Sequence, residues 1–168
     1  MSPSLALRPE TPADGDFLFS LFASARDDIA RSTLAEEEKT RLLRLQFTAQ
    51  TRHYRTQFPG GEFLIIMLRD RRAGRLCRHF GADEIRIVDL ALLPEFRGQG
   101  LGTRLLAALQ QEARLMGKCL RLHVESHSRA RHLYERLGFV KLEQRGLHDF
   151  MEWRPDRPFV VAPGLPPR

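Results

Sequence analysis

The chain has 168 residues, of which 42% are hydrophobic and 29% charged, which is the composition of an ordinary globular protein rather than a disordered or fibrous one. Its 27 basic and 21 acidic residues give a net charge of +6, but they are spread along the chain and form no nucleic-acid-binding motif, so a nucleic-acid partner is disfavoured. Because no apolar run has the length of a signal peptide or a membrane span, we expect a single cytoplasmic domain over residues 1–154, followed by a proline-rich surface tail over residues 155–168.

The first part of the chain predicts a strand followed by two helices. Residues 5–8 form a short strand that a proline ends. Asp14 is the expected N-cap of the first helix. The apolar stripe of that helix consists of Leu18, Leu21, Phe22, Ala25 and Ile29. Thr33 and Glu36 have the spacing of a capping box, which predicts the start of a second helix there. That helix carries Leu43, Phe47 and Tyr54 on one side.

The second part alternates strands and helices. The expected strands lie over residues 63–68, 75–80, 85–93, 119–125 and 139–142. A basic turn over residues 70–74 joins the first two of them. A helical stripe begins at Leu101 and ends before Gly117, and Ser128 is the expected cap of a shorter helix. The economical arrangement is one mixed sheet with helices packed on it, in which the long helix is a right-handed crossover between two parallel strands.

Three glycines, Gly98, Gly100 and Gly102, alternate between an apolar strand and the long helix. Glycine permits unusual backbone dihedral angles and puts no Cβ in the way of a ligand. The first amides of a helix have no intrahelical partners, and the helix dipole adds positive partial charge, so this turn is suited to hold phosphate. The Walker pattern ends in Gly-Lys-Ser/Thr, and a dinucleotide fingerprint needs glycine where Thr103 stands, so both classes are disfavoured. On these residues alone, the alternative is that the glycines only allow a tight turn from strand to helix and bind no ligand.

The segment Arg97-Gly98-Gln99-Gly100-Leu101-Gly102 matches the Arg/Gln-x-x-Gly-x-Gly/Ala signature of the GNAT superfamily of N-acetyltransferases. Residues 130–139 resemble that family's motif on the helix after the fifth strand, and the order of elements from Leu5 to Trp153 is similar as well. The resemblance implies the α/β (α+β) GNAT fold. This is a mixed, mostly antiparallel sheet of six to seven strands with four helices, whose fourth and fifth strands are parallel and splay apart.

The resemblance also implies that acetyl-CoA is the acyl donor. Its pantetheine arm is expected to lie between the splayed strands and to bond to the backbone of Leu90, Ala91 and Leu92. Its pyrophosphate is expected at the glycine turn and the first amides of the helix. These residues are Arg97, Gly98, Gln99, Gly100, Leu101, Gly102 and Thr103. Many family members have an asparagine ahead of the next helix, where this chain has His127 and Ser128, so Ser128 is the expected helix cap and cofactor contact there.

Acyl transfer needs a group that takes a proton from the amine, because an alkyl ammonium has a pKa near 10.4. Asp89 interrupts an apolar strand and Glu125 ends the neighbouring strand, so both are candidate general bases. The alternatives are a hydrogen-bonded buried carboxylate and a solvated strand end, and His123 beside Glu125 is either a packing or a surface imidazole. Similarity to the family places the phenol of Tyr134 beside the sulfur, as the acid for the leaving thiolate, whereas a packing residue is the alternative.

The acceptor amine is not identified by the sequence. It belongs to a small molecule or to a peptide or protein, and Arg26, His53 and Tyr54 are candidates for lining its site. Cys77 and Cys119 lack the spacing of a metal site, so no metal is expected. Two other functions stay open, a sensor that binds acyl-CoA without turnover and a basic nucleic-acid-binding module. We expect no membrane partner, and a homodimer is left open.

Overall fold

The computed structural model describes residues 4–156, so residues 157–168 of the predicted tail lie outside the described residues. The strands are β1 Leu5–Pro9, β2 Glu62–Leu68, β3 Arg71–Phe80, β4 Glu84–Leu92, β5 Cys119–Glu125, β6 Val140–Arg145 and β7 His148–Trp153. The α-helices are α1 Gly15–Ala23, α2 Asp27–Ala30, α3 Glu36–Gln57, α4 Leu101–Met116 and α5 Arg129–Arg136. Within the described range, no helix combines the length and the apolar character needed to cross a bilayer.

The strands form one seven-stranded sheet in the order β1-β2-β3-β4-β5-β7-β6. Only the β4–β5 pair is parallel, so the sheet is mixed and mostly antiparallel, which confirms the expected α/β fold class. The described chain divides into two compact units. The first comprises residues 4–80 and 87–102, and the second comprises residues 81–86 and 103–156.

The first unit contains β1, β2 and β3, which pair as antiparallel neighbours. Leu64 of β2 lies opposite Leu76 of β3, and the core of this unit includes the fully buried Ile65 and Ile66. Helix α3 has no buried residue along its 22 positions. Its Phe47 ring nevertheless contacts Phe22 of α1 at a centroid distance of 5.5 Å. Helices α1 and α3 are therefore joined by the packing of the partly exposed Phe47 ring on the buried Phe22 ring rather than by a continuous apolar face of α3.

The second unit packs α4 and α5 with β5, β7 and β6. Strand β7 pairs antiparallel with both β5 and β6, with Leu122 of β5 opposite Met151. The core includes Leu106 of α4, Leu120, Leu122 and Met151, all of which are buried. Gln110 of α4 donates a 2.7 Å hydrogen bond to the carbonyl of Leu137, which ties the long helix to the end of α5. The predicted ends of α4 and of β5 are confirmed at Leu101, Met116, Cys119 and Glu125.

The first predicted helix begins as expected after Asp14 but ends earlier than predicted, and the predicted start of the second helix is wrong. The first apolar stripe is divided between α1 and the one-turn α2, so the described residues contain five α-helices rather than four. The Ser24 hydroxyl donates 2.7 Å to the carbonyl of Leu21, a local bond of the kind that competes with continuation of a helix. The capping box expected from Thr33 and Glu36 does not form the start of α3. The N-cap is Ala35, whose amide donates 3.1 Å to Glu38, because three consecutive glutamates offer more than one register for a capping box.

Asp14 stands at the N-cap position of α1, but its side chain makes no capping hydrogen bond to that helix. Its buried carboxylate instead accepts two 2.8 Å hydrogen bonds from Arg8 and one of 3.2 Å from Arg72. The amide of Thr11 donates a further bond of 2.9 Å. Hydrogen bonding to Arg8, supported by Thr11 and Arg72, holds the pKa of Asp14 well below its usual range. Asp14 therefore joins β1, β3 and the start of α1.

Candidate functional site

The glycine turn lies between a short 3₁₀ turn, Pro94–Phe96, and the first residue of α4. Gly98 and Gly100 have φ angles of 69° and 75°, in the left-handed region that L side chains rarely adopt. Apart from its neighbours in the chain, a Cβ on either residue would meet no protein atom within 4 Å. Both glycines are therefore required by backbone conformation, and the space beside each of them is open to a ligand.

The backbone N–H groups of this turn are available as donors. Among the described residues outside the helices and strands, the amides of Gly98, Gln99 and Gly100 donate to no backbone carbonyl. Leu101 and Gly102 stand in the first turn of α4, where amides have no intrahelical acceptor. Helix α4 starts at Leu101 and is 16 residues long, so its dipole adds positive partial charge at the same place. An anion at this place would accept hydrogen bonds from the free amides and would be attracted by the helix dipole. This is the arrangement that binds phosphate groups.

Two side chains of the turn fold back on the protein. Arg97 donates from Nε to the carbonyl of Leu92 at 2.8 Å, and its Nη2 reaches the hydroxyl of Ser24 at 3.4 Å. Gln99 donates from Nε2 to the carbonyl of Glu95 at 2.5 Å. These bonds stabilise the shape of the turn, so an anion would be held mainly by main-chain groups. The exposed Arg97 still contributes positive charge.

The end of β4 approaches β3 very closely at Gly74. A Cβ on this glycine would stand 2.1 Å from the carbonyl oxygen of Ala91, a distance that no side chain permits. The expected turn over residues 70–74 is therefore wrong, since β3 already begins at Arg71 and Gly74 lies inside it. A lone glycine in a strand pattern signals such an approach, so Gly74 could have been found from the sequence. It positions the β4 residues Leu90, Ala91 and Leu92.

Asp89 lies on β4 in the first unit and is partly buried. Burial raises the pKa of Asp89, and the cationic side chains of Arg75 and Arg26 and the amide of Leu90 act in the opposite direction. A carboxylate whose pKa is moved towards neutrality is a better proton acceptor for an ammonium group than an exposed one. Of the two candidate bases, Asp89 is therefore in the environment that suits a general base.

The second unit holds the other predicted residues. Glu125 is exposed at the end of β5, as a solvated strand end would be. Ser128 caps α5, since its hydroxyl accepts a 3.2 Å hydrogen bond from the amide of Ala130. Tyr134 is only 7% exposed and meets the ring of Phe139 edge-on at a centroid distance of 5.5 Å. Glu125, Ser128 and Tyr134 belong to the second unit, whereas Asp89 and the glycine turn as far as Gly102 belong to the first.

His123 is exposed and its ring stacks on Phe150 at 4.7 Å. Partial desolvation of its ring, together with the nearby Arg86 and Arg145, lowers the pKa of His123. Its packing against an aromatic ring agrees with the packing alternative for this histidine. Within residues 4–156, no three His, Cys, Asp or Glu side chains converge in a group that could hold a metal ion.

A pair of substitutions separates the two candidate bases. We expect Asp89→Asn to lower the rate of acyl transfer by about 10²–10⁴-fold if Asp89 is the base. The same variant should be more stable than the wild type at neutral pH. Because the pKa of Asp89 is raised in the folded state, its contribution to stability is present at low pH and is lost as the pH rises above the unfolded value of about 3.9 towards the folded value.

The measurements are transfer rates and urea unfolding between about pH 3 and pH 8, a range that brackets the unfolded pKa. The stability advantage of Asp89→Asn should be absent at the acid end and should grow as the pH rises. The matched control is Glu125→Gln, which should change the free energy of unfolding by no more than about 0.5 kcal/mol because the residue is exposed. If Glu125→Gln loses the rate and Asp89→Asn keeps it, the roles are reversed.

Comparison with known proteins adds a family match and a curated relative. Residues 59–141 match the family model described as the acetyltransferase (GNAT) domain. A stretch of 62 residues is 48% identical to the uncharacterised N-acetyltransferase YycN of Bacillus subtilis (strain 168). That stretch is 36% of this chain and spans 40% of the relative, less than half of its length.

Solved structures resemble the chain over nearly its whole length. PaiA N-acetyltransferase from Thermoplasma acidophilum, solved in complex with coenzyme A, aligns with a TM-score of 0.67 and 18% identity, covering 90% of this chain and 99% of that one. YncA from Salmonella typhimurium, solved with its cofactor acetyl-CoA, aligns with a TM-score of 0.56 and 20% identity, covering 96% of this chain and 98% of that one. At these identities the likeness establishes the fold.

Proposed function

The chain belongs to the GNAT superfamily of N-acetyltransferases, and on that premise we propose that it transfers an acetyl group from acetyl-CoA to a primary amine. The observation that carries this proposal is the glycine turn, in which Gly98 and Gly100 leave open space beside unengaged amides at the start of α4. The fold neighbours solved with coenzyme A or acetyl-CoA support the same donor. When bound, acetyl-CoA would supply an acetyl group activated as a thioester.

We assign the diphosphate of the donor to the main chain of the turn. The amides of Gln99, Gly100, Leu101, Gly102 and Thr103 would donate to its oxygens, with the dipole of α4 adding to the attraction. Charge-assisted hydrogen bonds of this kind are worth about 1.5–3 kcal/mol each, so several together account for tight binding. Arg97 would keep the turn in shape through its bond to Leu92 and add positive charge at the rim.

The backbone of Leu90, Ala91 and Leu92 would hold the pantetheine arm in an extended conformation. Gly74 supports this role, because it lets β3 approach Ala91 closely and so determines where this part of β4 lies. Ser128 would orient the start of α5 by capping it, and would contact the donor with its remaining hydrogen-bonding capacity. Fixing the donor along this path brings it to one place relative to the amine, which is worth about 7–11 kcal/mol in favourable systems.

The reaction also needs two proton transfers, and we assign both of them to side chains of this protein. Asp89, or else Glu125, would take a proton from the ammonium group of the acceptor, directly or through a water molecule, so that a neutral amine attacks. Tyr134 would give its phenolic proton to the departing thiolate. A phenol has an ordinary pKa near 10, so it is protonated at neutral pH and available as a donor.

Calorimetry and a thiol-release assay test the proposal together. We expect acetyl-CoA to bind at micromolar concentration, and CoA to be released when an accepted amine is added from a panel of amino acids, polyamines, small amines and peptide N-termini. Absence of acetyl-CoA binding would reject the proposal. Binding without release of CoA for any amine would reject the enzymatic part and favour the acyl-CoA sensor.

A further inference from the structure

Arg75 is a buried cation whose hydrogen-bonding capacity is only partly used by the protein. It lies on β3 in the first unit and is only 3% exposed. Its Nε donates to the sulfur of Cys77 at 2.8 Å and stands 3.9 Å from the carboxylate of Glu10, beyond hydrogen-bonding distance. Burial raises the pKa of the Cys77 thiol to about 12, so the sulfur is a neutral acceptor. Among the described residues, the buried Nη2 of Arg75 has no hydrogen-bond partner.

A second guanidinium near Arg75 is in a similar state. The Nε of Arg26 is buried and lacks a hydrogen-bond partner among residues 4–156, while the Arg26 Cζ stands 4.5 Å from the centre of the Phe22 ring. Arg26 and Arg75 are both close enough to Asp89 to act on its pKa. The ring of Tyr54 stands 5.9 Å from the Cζ of Arg75 and is only partly buried, as Asp89 and Arg26 are. We call Arg26, Tyr54, Arg75 and Asp89 the arginine cluster.

Leaving such donors unpaired costs free energy. A buried donor without a partner costs about 1–3 kcal/mol, and a charged one costs more. Buried polar groups in proteins are nearly always bonded to protein or to water, and exceptions often mark functional positions. Glu10 does not resolve the deficit, because one of its carboxylate oxygens is bonded to Arg55 and the other has no hydrogen-bond partner in the described structure. The two guanidinium groups of the cluster therefore still have N–H donors to offer an anionic group.

We propose that the arginine cluster binds the carboxylate of the acceptor, so that the acceptor is an amine of the amino-acid class. This inference rests on the proposed acetyl transfer, because the same cluster contains Asp89. A planar guanidinium presents N–H donors in a fork that matches a carboxylate. An α-amino acid places its ammonium group close to that carboxylate, so one ligand would present its anion to Arg75 and Arg26 and its nitrogen to Asp89.

The charges of the cluster favour this acceptor over two others. A polyamine would bring a second cation towards Arg26 and Arg75, and like charges at short range are unfavourable. A phosphate dianion would suit the guanidinium groups, but it would also face the carboxylates of Glu10 and Asp89. A zwitterionic amino acid avoids both problems, because its carboxylate would face the guanidinium groups and its ammonium group would face Asp89.

Matched acceptors test the inference on the wild-type protein. CoA release is measured for each common amino acid beside its carboxamide, and rates are expressed per free amine because the amide has the lower amine pKa. We expect kcat/KM for the preferred amino acid to exceed that of its carboxamide by at least about tenfold, since an amide leaves the guanidinium charge unmatched. Equal use of acid and amide, or a preference for polyamines, would overturn the inference.

Substitutions at Arg75 test whether this residue causes the preference for the amino acid over its carboxamide. We expect Arg75→Met to abolish the preference for the acid by raising its KM, and Arg75→Lys to retain part of it, because lysine keeps the charge but not the fork. The matched control is Arg78→Met on the same strand, whose guanidinium pairs with Glu62 at 2.7 Å, and it should keep the preference. A preference that survives in Arg75→Met would assign carboxylate recognition elsewhere.

A binding measurement separates failure of this inference from failure of the proposed function. Calorimetry of the preferred amino acid with CoA-saturated protein should show binding in the wild type and in Arg78→Met, and at least about tenfold weaker binding in Arg75→Met. Affinity for acetyl-CoA, measured on each variant, reports whether the fold and donor site are intact. Loss of acetyl-CoA binding by the wild type counts against the proposed function, whereas intact transfer to amines without any preference for acids counts against the inference alone.

Discussion

Gly100→Val is expected to abolish measurable binding of acetyl-CoA, with a loss of affinity of about 10²-fold or more. The φ angle of 75° at Gly100 lies in the left-handed region, which a β-branched residue enters at a cost of about 1–2 kcal/mol. The new side chain would also project into the open space beside the amides of the turn. If it displaced even two charge-assisted bonds, the cost would be about 3–6 kcal/mol. Calorimetry with acetyl-CoA measures the loss.

Gly117→Val is the matched control for strain. Gly117 also has a left-handed φ, 63°, and no atom within 4 Å of a built Cβ, but it follows the other end of α4. Both variants should therefore lose similar stability in thermal unfolding, whereas only Gly100→Val should lose acetyl-CoA affinity. Retention of wild-type affinity by Gly100→Val would remove the observation that carries the proposed function. Equal loss in both variants would assign the effect to strain.

Tyr134→Phe is expected to lower kcat by about 10²–10⁴-fold, the usual contribution of a general acid. The phenylalanine ring keeps the edge-on contact with Phe139, so packing within the second unit is preserved. Affinity for acetyl-CoA should change little, because the contacts proposed for the donor are with the main chain of the turn and of β4. Steady-state rates of thiol release, with calorimetry in parallel, separate the effect on kcat from the effect on binding.

The pH profile of the same variant distinguishes a proton donor from a packing residue. In the wild type, kcat should fall at high pH as Tyr134 loses its proton, and this limb should be missing from Tyr134→Phe. A purely structural role would lower the melting temperature and leave the shape of the profile unchanged. An unaltered kcat in Tyr134→Phe would withdraw the assigned role and leave Tyr134 as a buried member of the α5 stripe.

Much of the fold could be predicted where local signals act alone. The ends of α4 and β5 follow from an apolar stripe that stops at Gly117 and from the alternation after Cys119, and the structure has both. Ser128 caps α5 because capping needs only the amides of the next turn. The glycine turn was also recognisable from its neighbours in the chain, since the left-handed residues and the helix that follows are contiguous.

The errors lie where distant residues compete with local ones. Asp14 has the identity of an N-cap, but Arg8 and Arg72 bind its carboxylate, and Arg72 is 58 positions away along the chain. Gly74 has the appearance of a turn residue, although its conformation is governed by contact with Ala91. Arg72 is far from Asp14 along the chain, and Ala91 is 17 positions from Gly74, so the residues around each predicted only the commoner local role.

The sequence by itself determined the fold class, the order of the elements and the place of the glycine turn, because these depend on periodicity and on residues adjacent in the chain. Only the tertiary structure decided which buried charges lack a partner. Arg75 reads as one of many arginines in the sequence, and its significance appears once β3 places it beside Tyr54, within reach of the charge of Asp89, with Nη2 unbonded. The cost of burying a charge depends on every group around it, and those groups come from segments far apart in the chain.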